Sequence, residues 1–234
     1  MKKLTLSFRL LTLLLCSFLA VSCGDDDDEE QIAPLSNQIE YNNTRYNADL
    51  ALSWDFGPIG FSEDVETHYA QEFALLDTVT KTLSVKAALD MFLLSSGTTT
   101  FKTGTFDYVN LDDEIDFEDE ESVAAATAKY RDKNLILQTA FLLDSNNDEE
   151  FDEDTEVFEV TGGSITVSGT APNYTIECDV QLQNNNGLKA HYSGEVLAQP
   201  VDPDEEEEDT TANMRKAPKA TSFKRDIPAL LKAR

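Results

Sequence analysis

Apolar and polar positions alternate with a period of two through most of this chain, the pattern of strands with one buried face. Ile39 and Tyr41, then Asn42-Asn43, then residues 44–46 predict a small hairpin, since asparagine tolerates the left-handed backbone that tight turns demand. Ala48, Leu50, Leu52, Trp54 and Phe56 alternate with Asp49, Ala51, Ser53 and Asp55, a strand ended by Gly57-Pro58-Ile59-Gly60 in which Trp54 is core filler. Residues 67–77 form another strand, with Tyr69, Phe73 and Leu75 on one side. Leu83, Val85, Ala87, Leu89, Met91 and Leu93 predict a long strand; a helix competes, but a period of two fits more positions. Ser95-Ser96-Gly97 makes a turn, and residues 98–109 read as a strand or a pair of strands.

Two acidic loops divide the second half, at residues 112–121 and 144–156. Between them, residues 135–143 predict a strand, and the alanine-rich residues 123–131 are read as strand in preference to one or two helical turns, because both neighbours are strands. From Val157 the meander is plainest. Residues 157–160, the Gly162-Gly163 break, Ile165 and Val167, the turn at 169–173, the row Tyr174, Ile176, Cys178, Val180 and Leu182, the turn Asn184-Asn185-Asn186-Gly187, and residues 188–197 follow as antiparallel strands. Many short strands joined this way predict an all-β domain over residues 37–199. A single antiparallel β-sandwich is preferred, with a β-barrel as the alternative.

The first 36 residues have another character. Lys2, Lys3 and Arg9 precede an apolar run over residues 10–21 that is too short to span a bilayer, so residues 1–22 read as a cleaved export signal. Leu19-Ala20-Val21-Ser22-Cys23 resembles the lipobox of bacterial lipoproteins, which implies cleavage before Cys23 and acylation, palmitate included, of its thiol and new amino group. Gly24 and the acidic run from Asp25 to Glu30 open a self-repelling tether over residues 23–36. Residues 200–234 form a tail, acidic to Asp209 and then basic, with seven Lys and Arg against Asp226 over residues 214–234; it is expected to be disordered or a short helix capped by Asp226.

Charge and cysteines narrow the chemistry. The formal charge of -27 becomes more negative by three when Lys2, Lys3 and Arg9 leave, which repels phosphate backbones and anionic headgroups and excludes nucleic acid as a partner. Cys16 leaves with the signal and Cys23 carries lipid, so Cys178 has no cysteine to pair with and is read as core. Asp144-Ser145-Asn146-Asn147-Asp148 places oxygen side chains at every second position, as in the first half of an EF-hand loop, and Asp144, Asn146, Asp148 and Asp152 are the candidate calcium ligands. The match to that loop then fails, with Glu149 where Gly makes the sharp turn and Glu156 one residue late. His68 and His191, the only histidines, lie in no nucleophile or metal motif and read as surface residues, so no catalytic residue is assigned.

The lipobox and its acidic follow-on, with Thr103-Gly104-Thr105-Phe106, Gly162-Gly163-Ser164-Ile165 and Tyr192-Ser193-Gly194, resemble β-rich surface-exposed lipoproteins of the Bacteroidota. The resemblance implies a lipid-anchored protein on the outer leaflet of the outer membrane and carries over no catalytic residue. Asp77-Thr78-Val79 and Asp209-Thr210-Thr211 look like the O-glycosylation motif of that group, with Thr78 and Thr210 as acceptors. Two functions are expected, neither of them enzymatic. One is a binding module for glycan or another extracellular ligand, presenting aromatics drawn from Tyr46, Tyr69, Tyr108, Phe117 and Tyr130. The other is a structural or adhesive component with calcium-stabilised acidic loops.

Overall fold

Asn42 and Asn43 both take positive φ, 49° and 59°, and fold β1 (Gln38–Tyr41) onto β2 (Thr44–Asn47) in the two-residue hairpin expected of them. The computed structural model describes residues 33–62, 65–79 and 84–201; Cys23 with its tether up to residue 32, and residues 202–234 with Thr210, lie outside them. The remaining strands are β3 (Leu50–Ile59), β4 (His68–Val79), β5 (Ser84–Ser96), β6 (Gly104–Tyr108), β7 (Leu135–Leu143), β8 (Val157–Thr170), β9 (Asn173–Leu182), β10 (Gly187–Glu195) and β11 (Leu197–Gln199). The protein is mostly β, as expected, and its strands join in one curled, open sheet in the order β11-β3-β4-β5-β7-β6-β8-β9-β10-β1-β2. Short β6 wedges between β7 and β8, which pair directly beyond it.

Curling brings the two halves of the sheet face to face over the main core. Ile39, Phe73, Leu89, Phe106, Phe141, Ile176 and Leu188 are fully buried there, and Phe73 meets Tyr174 edge-on at 5.5 Å. Each such side chain contributes roughly 2–3 kcal/mol through the apolar area it removes from water. The row Tyr174, Ile176, Cys178, Val180 and Leu182 lies wholly in this core. Burial pushes the Cys178 thiol well above its ordinary pKa, so it remains a protonated packing group.

The central strands are buried on their outer face too, which simple alternation does not anticipate. One outer cluster gathers Leu50, Leu52, Trp54, Ala74, Leu76 and Leu142, and Trp54 is 4% exposed, a core residue as expected. The other lies under two helices, α1 (Leu111–Glu114) and α2 (Glu120–Tyr130).

Helix α2 corrects the strand expected at residues 123–131. Asp119 caps its N-terminus, accepting a 3.0 Å bond from Glu121 N, and Glu120 and Glu121 suit the positive end of the dipole. Val123, Ala126 and Tyr130 recur at helical spacing and are buried against Phe61, Phe92 and Leu94. Three successive alanines favour helix intrinsically, and that local preference outweighs the strand neighbours.

Two strand boundaries also differ from expectation. Gly162-Gly163 does not break β8; a bulge at Thr161 shifts the register just before the pair, and both glycines stay paired with β9, opposite Gln181 and Val180, within one continuous strand. At the far end β10 stops at Glu195, and Leu197–Gln199 crosses to pair parallel with β3 at the opposite edge of the sheet.

Candidate metal centre

The second acidic loop leaves β7 at Asp144 and enters β8 after Glu156, closed at its base by Leu143 N donating to the Glu156 carbonyl at 2.9 Å. Asparagines and aspartates dominate it because their short side chains bond the backbone two or three residues on. Asp144 Oδ1 accepts from Asn147 N at 2.6 Å, Asn146 Oδ1 from Asp148 N at 2.9 Å, and Asp148 Oδ1 from Glu150 N at 3.0 Å. Asn147 and Glu149 take φ of 63° and 69°. The left-handed turn for which the sequence offers no glycine is therefore made at Glu149 itself.

Glu156 organises the inside of the loop. It is 1% exposed, and its Oε1 accepts from Ser145 N at 2.7 Å, Ser145 Oγ at 2.6 Å and Asn146 N at 3.2 Å, while Oε2 accepts from Asp152 N at 3.2 Å. The Ser145 hydroxyl, together with the amides of Asp152, Ser145 and Asn146, holds its carboxyl below the usual range against the opposing effect of burial. From β5, Lys86 donates to the Asp144 carbonyl and to Asn147 Oδ1, so one ammonium already braces the outside of the turn.

Asp144, Asp148 and Glu156 each offer an oxygen within 4.8 Å of the other two. Oxygens at ~2.4 Å from one calcium ion lie at most ~4.8 Å apart, so a single ion can touch all three. Of the four expected ligands, the fold brings Asp144 and Asp148 together and seats Asn146 beside them, its Nδ2 donating to Asp148 Oδ2 at 2.9 Å. Asp152 is not in the trio; its Oδ1 accepts from Asp154 N, Thr155 N and Thr155 Oγ1. Glu156 is the member that sequence reasoning left out, because a linear EF-hand template counts it one residue late.

The histidines divide. His68, expected at the surface, is fully buried on β4. Burial lowers its pKa, and the neutral ring fits its partners: Nε2 lies 3.0 Å from the Tyr130 carbonyl as donor and Nδ1 2.8 Å from the Thr67 hydroxyl as acceptor. It pins the C-terminus of α2 to the sheet. Replacing His68 with Leu is expected to cost roughly 2–3 kcal/mol, since the Tyr130 carbonyl and Thr67 hydroxyl each lose a buried partner; urea denaturation measures it. His191 is half-buried on the outer side of β10, its neighbours Ala190 and Tyr192 facing the core.

The five aromatics considered for ligand stacking do not form a platform. Tyr130 is 2% exposed, Tyr46 and Tyr108 pack on the main core, Phe117 packs beneath the helices, and half-buried Tyr69 donates to Asp55 Oδ2 at 2.9 Å. Among the described residues the large apolar side chains that stand exposed are Val65 and Val79. Thr78 is half-buried on β4 beside a bulge in β5 at Lys86, and no described helix is long and apolar enough to cross a membrane. Compared with protein-family models, curated proteins and solved structures, the chain matches none.

Proposed function

We propose that this chain is a lipid-anchored, non-catalytic surface domain of the bacterial outer membrane whose loop at residues 144–156 is stabilised by calcium. The observation that carries the reading is the convergence of Asp144, Asp148 and Glu156 within 4.8 Å in a loop that has already made the left-handed turn a calcium loop needs. Cys23 supplies the anchor through its lipid, and the acidic run behind it holds the domain away from the membrane. The role is structural or adhesive: a cation ties down the connection between β7 and β8, two strands at the middle of the sheet. We take the arrangement as sandwich-like, because the edge strands β11 and β2 do not pair with each other among the described residues, as closing a barrel requires.

A module for glycan or another extracellular ligand is the second reading. It keeps the same anchor, but its ligand would be held by polar groups in place of an aromatic platform, since the candidate aromatics are drawn into the cores.

Calcium settles the first point. Melting of the lipid-free form, residues 31–234, in calcium, magnesium and chelator is the measurement. At a calcium concentration of ~100 Kd a native-state ligand adds ~2.7 kcal/mol, which for a domain of this size raises Tm by roughly 5–10 °C. Identical melting in calcium and chelator would overturn the calcium assignment. Saturable binding to one class in a glycan panel, with melting indifferent to calcium, would favour the binding module.

A further inference from the structure

Asn186-Gly187 is the only Asn-Gly step in the chain, and it stands at the hairpin between β9 and β10, away from the loop at residues 144–156. Where glycine follows asparagine, no side chain stands beside the glycine nitrogen to obstruct its approach to the asparagine Cγ, which closes a five-membered ring. In a folded chain the approach depends on what holds the nitrogen and the amide.

Leu182 N donates to the Asn186 carbonyl at 2.9 Å, so residues 182 and 186 face each other in hydrogen-bonding positions. The next pair, Gln181 and Gly187, is then a non-hydrogen-bonded one, and Gly187 N points away from β9. On the side it faces, the ladder of β1 with β10 ends at Tyr41 opposite Leu188, and Asn42 turns into the hairpin to β2. Gly187 N thus stands past the end of both ladders. Asn186 and Gly187 are exposed, and a Cβ at Gly187 would meet nothing nearer than the Val180 carbonyl oxygen at 4.0 Å. The Asn186 amide is loosely held, its Nδ2 lying 3.4 Å from the Tyr41 hydroxyl, a long contact for a hydrogen bond.

The neighbouring asparagines are built differently. Asn184 is tied through both amide atoms, Nδ2 donating to the Tyr41 hydroxyl at 2.8 Å and Oδ1 accepting from Asn186 N at 3.0 Å. Asn185, in the left-handed conformation at φ 62°, precedes a residue with a side chain, as do Asn42 and Asn43.

We propose that Asn186 is a site of spontaneous deamidation in the folded protein, with water as the co-reactant. Gly187 N gives up its proton to hydroxide and attacks Asn186 Cγ. The N–Cγ bond forms, the Cγ–Nδ2 bond breaks, and ammonia leaves with a proton taken from water, closing a succinimide. Water then adds to one of the two ring carbonyls. Opening at Cγ leaves aspartate on an unchanged backbone. Opening at the former main-chain carbonyl leaves isoaspartate, whose backbone is one carbon longer, and turns the acceptor of Leu182 N into a carboxylate. Either product adds a negative charge to the hairpin whose asparagines cover the Tyr41 hydroxyl, and the Tyr41 ring packs on Phe141 at 4.9 Å and Phe158 at 5.6 Å in the main core. The hairpin thereby changes charge and backbone length as the molecule ages.

Peptide mapping by mass spectrometry tests this, after the full chain is incubated in mildly alkaline heavy-oxygen water. Asn186 is expected to convert at least roughly ten-fold faster than Asn184 or Asn185, releasing ammonia, incorporating heavy oxygen and accelerating in proportion to hydroxide. Gly187→Ala is expected to slow the conversion roughly ten-fold, because its methyl crowds the attacking nitrogen, and the open space there accommodates it without strain. An Asn186 that stays intact in the folded chain, over a period in which the urea-unfolded chain converts at that site, would overturn the proposal. Equal conversion of Asn184, Asn185 and Asn186 in the folded chain would overturn it too, as would an undiminished rate in Gly187→Ala. The first two outcomes are read on the unaltered chain and decide the matter whether or not the variant folds.

Discussion

Glu156→Ala is expected to destabilise the protein by roughly 3–5 kcal/mol, because it removes a buried anion that four donors converge on. Ser145 N, Ser145 Oγ, Asn146 N and Asp152 N all lose their acceptor, and the turn that juxtaposes Asp144 and Asp148 loses its brace. Glu156→Gln keeps the shape and one acceptor oxygen and is expected to cost about half as much. The dependence on pH follows from the direction of the shift. Glu156 has a folded pKa below its unfolded value, so its contribution is complete above the unfolded pKa of ~4.3 and disappears as pH falls through the folded value. The Tm difference between wild type and Glu156→Gln is therefore expected to be full at about pH 6–7 and to close toward about pH 3. Melting of both proteins across that range in chelator checks it, since the many other carboxylates titrate alike in the two chains. A difference that stays constant with pH would show that the charge of Glu156 plays no part.

Gly163→Ala is expected to cost roughly 3–5 kcal/mol while Gly162→Ala costs less than about 1 kcal/mol, although the two glycines are adjacent. Gly163 has φ of 95°, and a Cβ there would stand 2.3 Å from the Asp179 carbonyl oxygen and 2.6 Å from the Val180 Cα, both backbone atoms of the neighbouring strand. Neither can move without displacing β9, whose Cys178, Val180 and Leu182 lie in the main core. At Gly162 the nearest atom is Gln181 Cβ at 3.6 Å, an ordinary contact. Chemical denaturation of the two variants gives the comparison directly, and similar losses at both positions would mean that the bulge adapts.

The same glycines show why a one-dimensional pattern misleads here. Read in line, a Gly-Gly pair marks the end of a strand; in the sheet, β8 continues through both glycines, and at Gly163 the β9 backbone lies too close for a side chain. His68 is a similar case. In sequence it is a polar residue at a strand start, and only the packing of α2 over β4 buries it and supplies the Tyr130 carbonyl as its partner. The helix is legible in sequence, since Asp119, Glu120, Glu121 and the spacing of Val123, Ala126 and Tyr130 are local signals that outweigh the strand neighbours on either side.

At the candidate metal loop the alternating oxygens of residues 144–148 identified the segment, and Asp144 and Asp148 do converge there. The sequence template rejected it for lack of a glycine and for a misplaced glutamate. In the structure Glu149 adopts the left-handed conformation without a glycine, and the Glu156 side chain reaches into the loop from one residue further on, where Ser145 N and Asp152 N donate to it.

What the order of residues determined by itself is the set of local choices: strands with a period of two, the Asn-Asn hairpin, the inward row through Cys178, and the oxygen-rich loop. Each depends on neighbours within a few positions, where backbone sterics and side-chain reach decide the outcome. What only the tertiary structure decided is which faces meet. One curled sheet buries the central strands on both sides, carries β11 across to β3 and encloses His68. Those contacts join residues far apart in the chain, and the free energy that selects them comes from apolar area removed from water across the whole sheet, a sum that no short window of sequence contains.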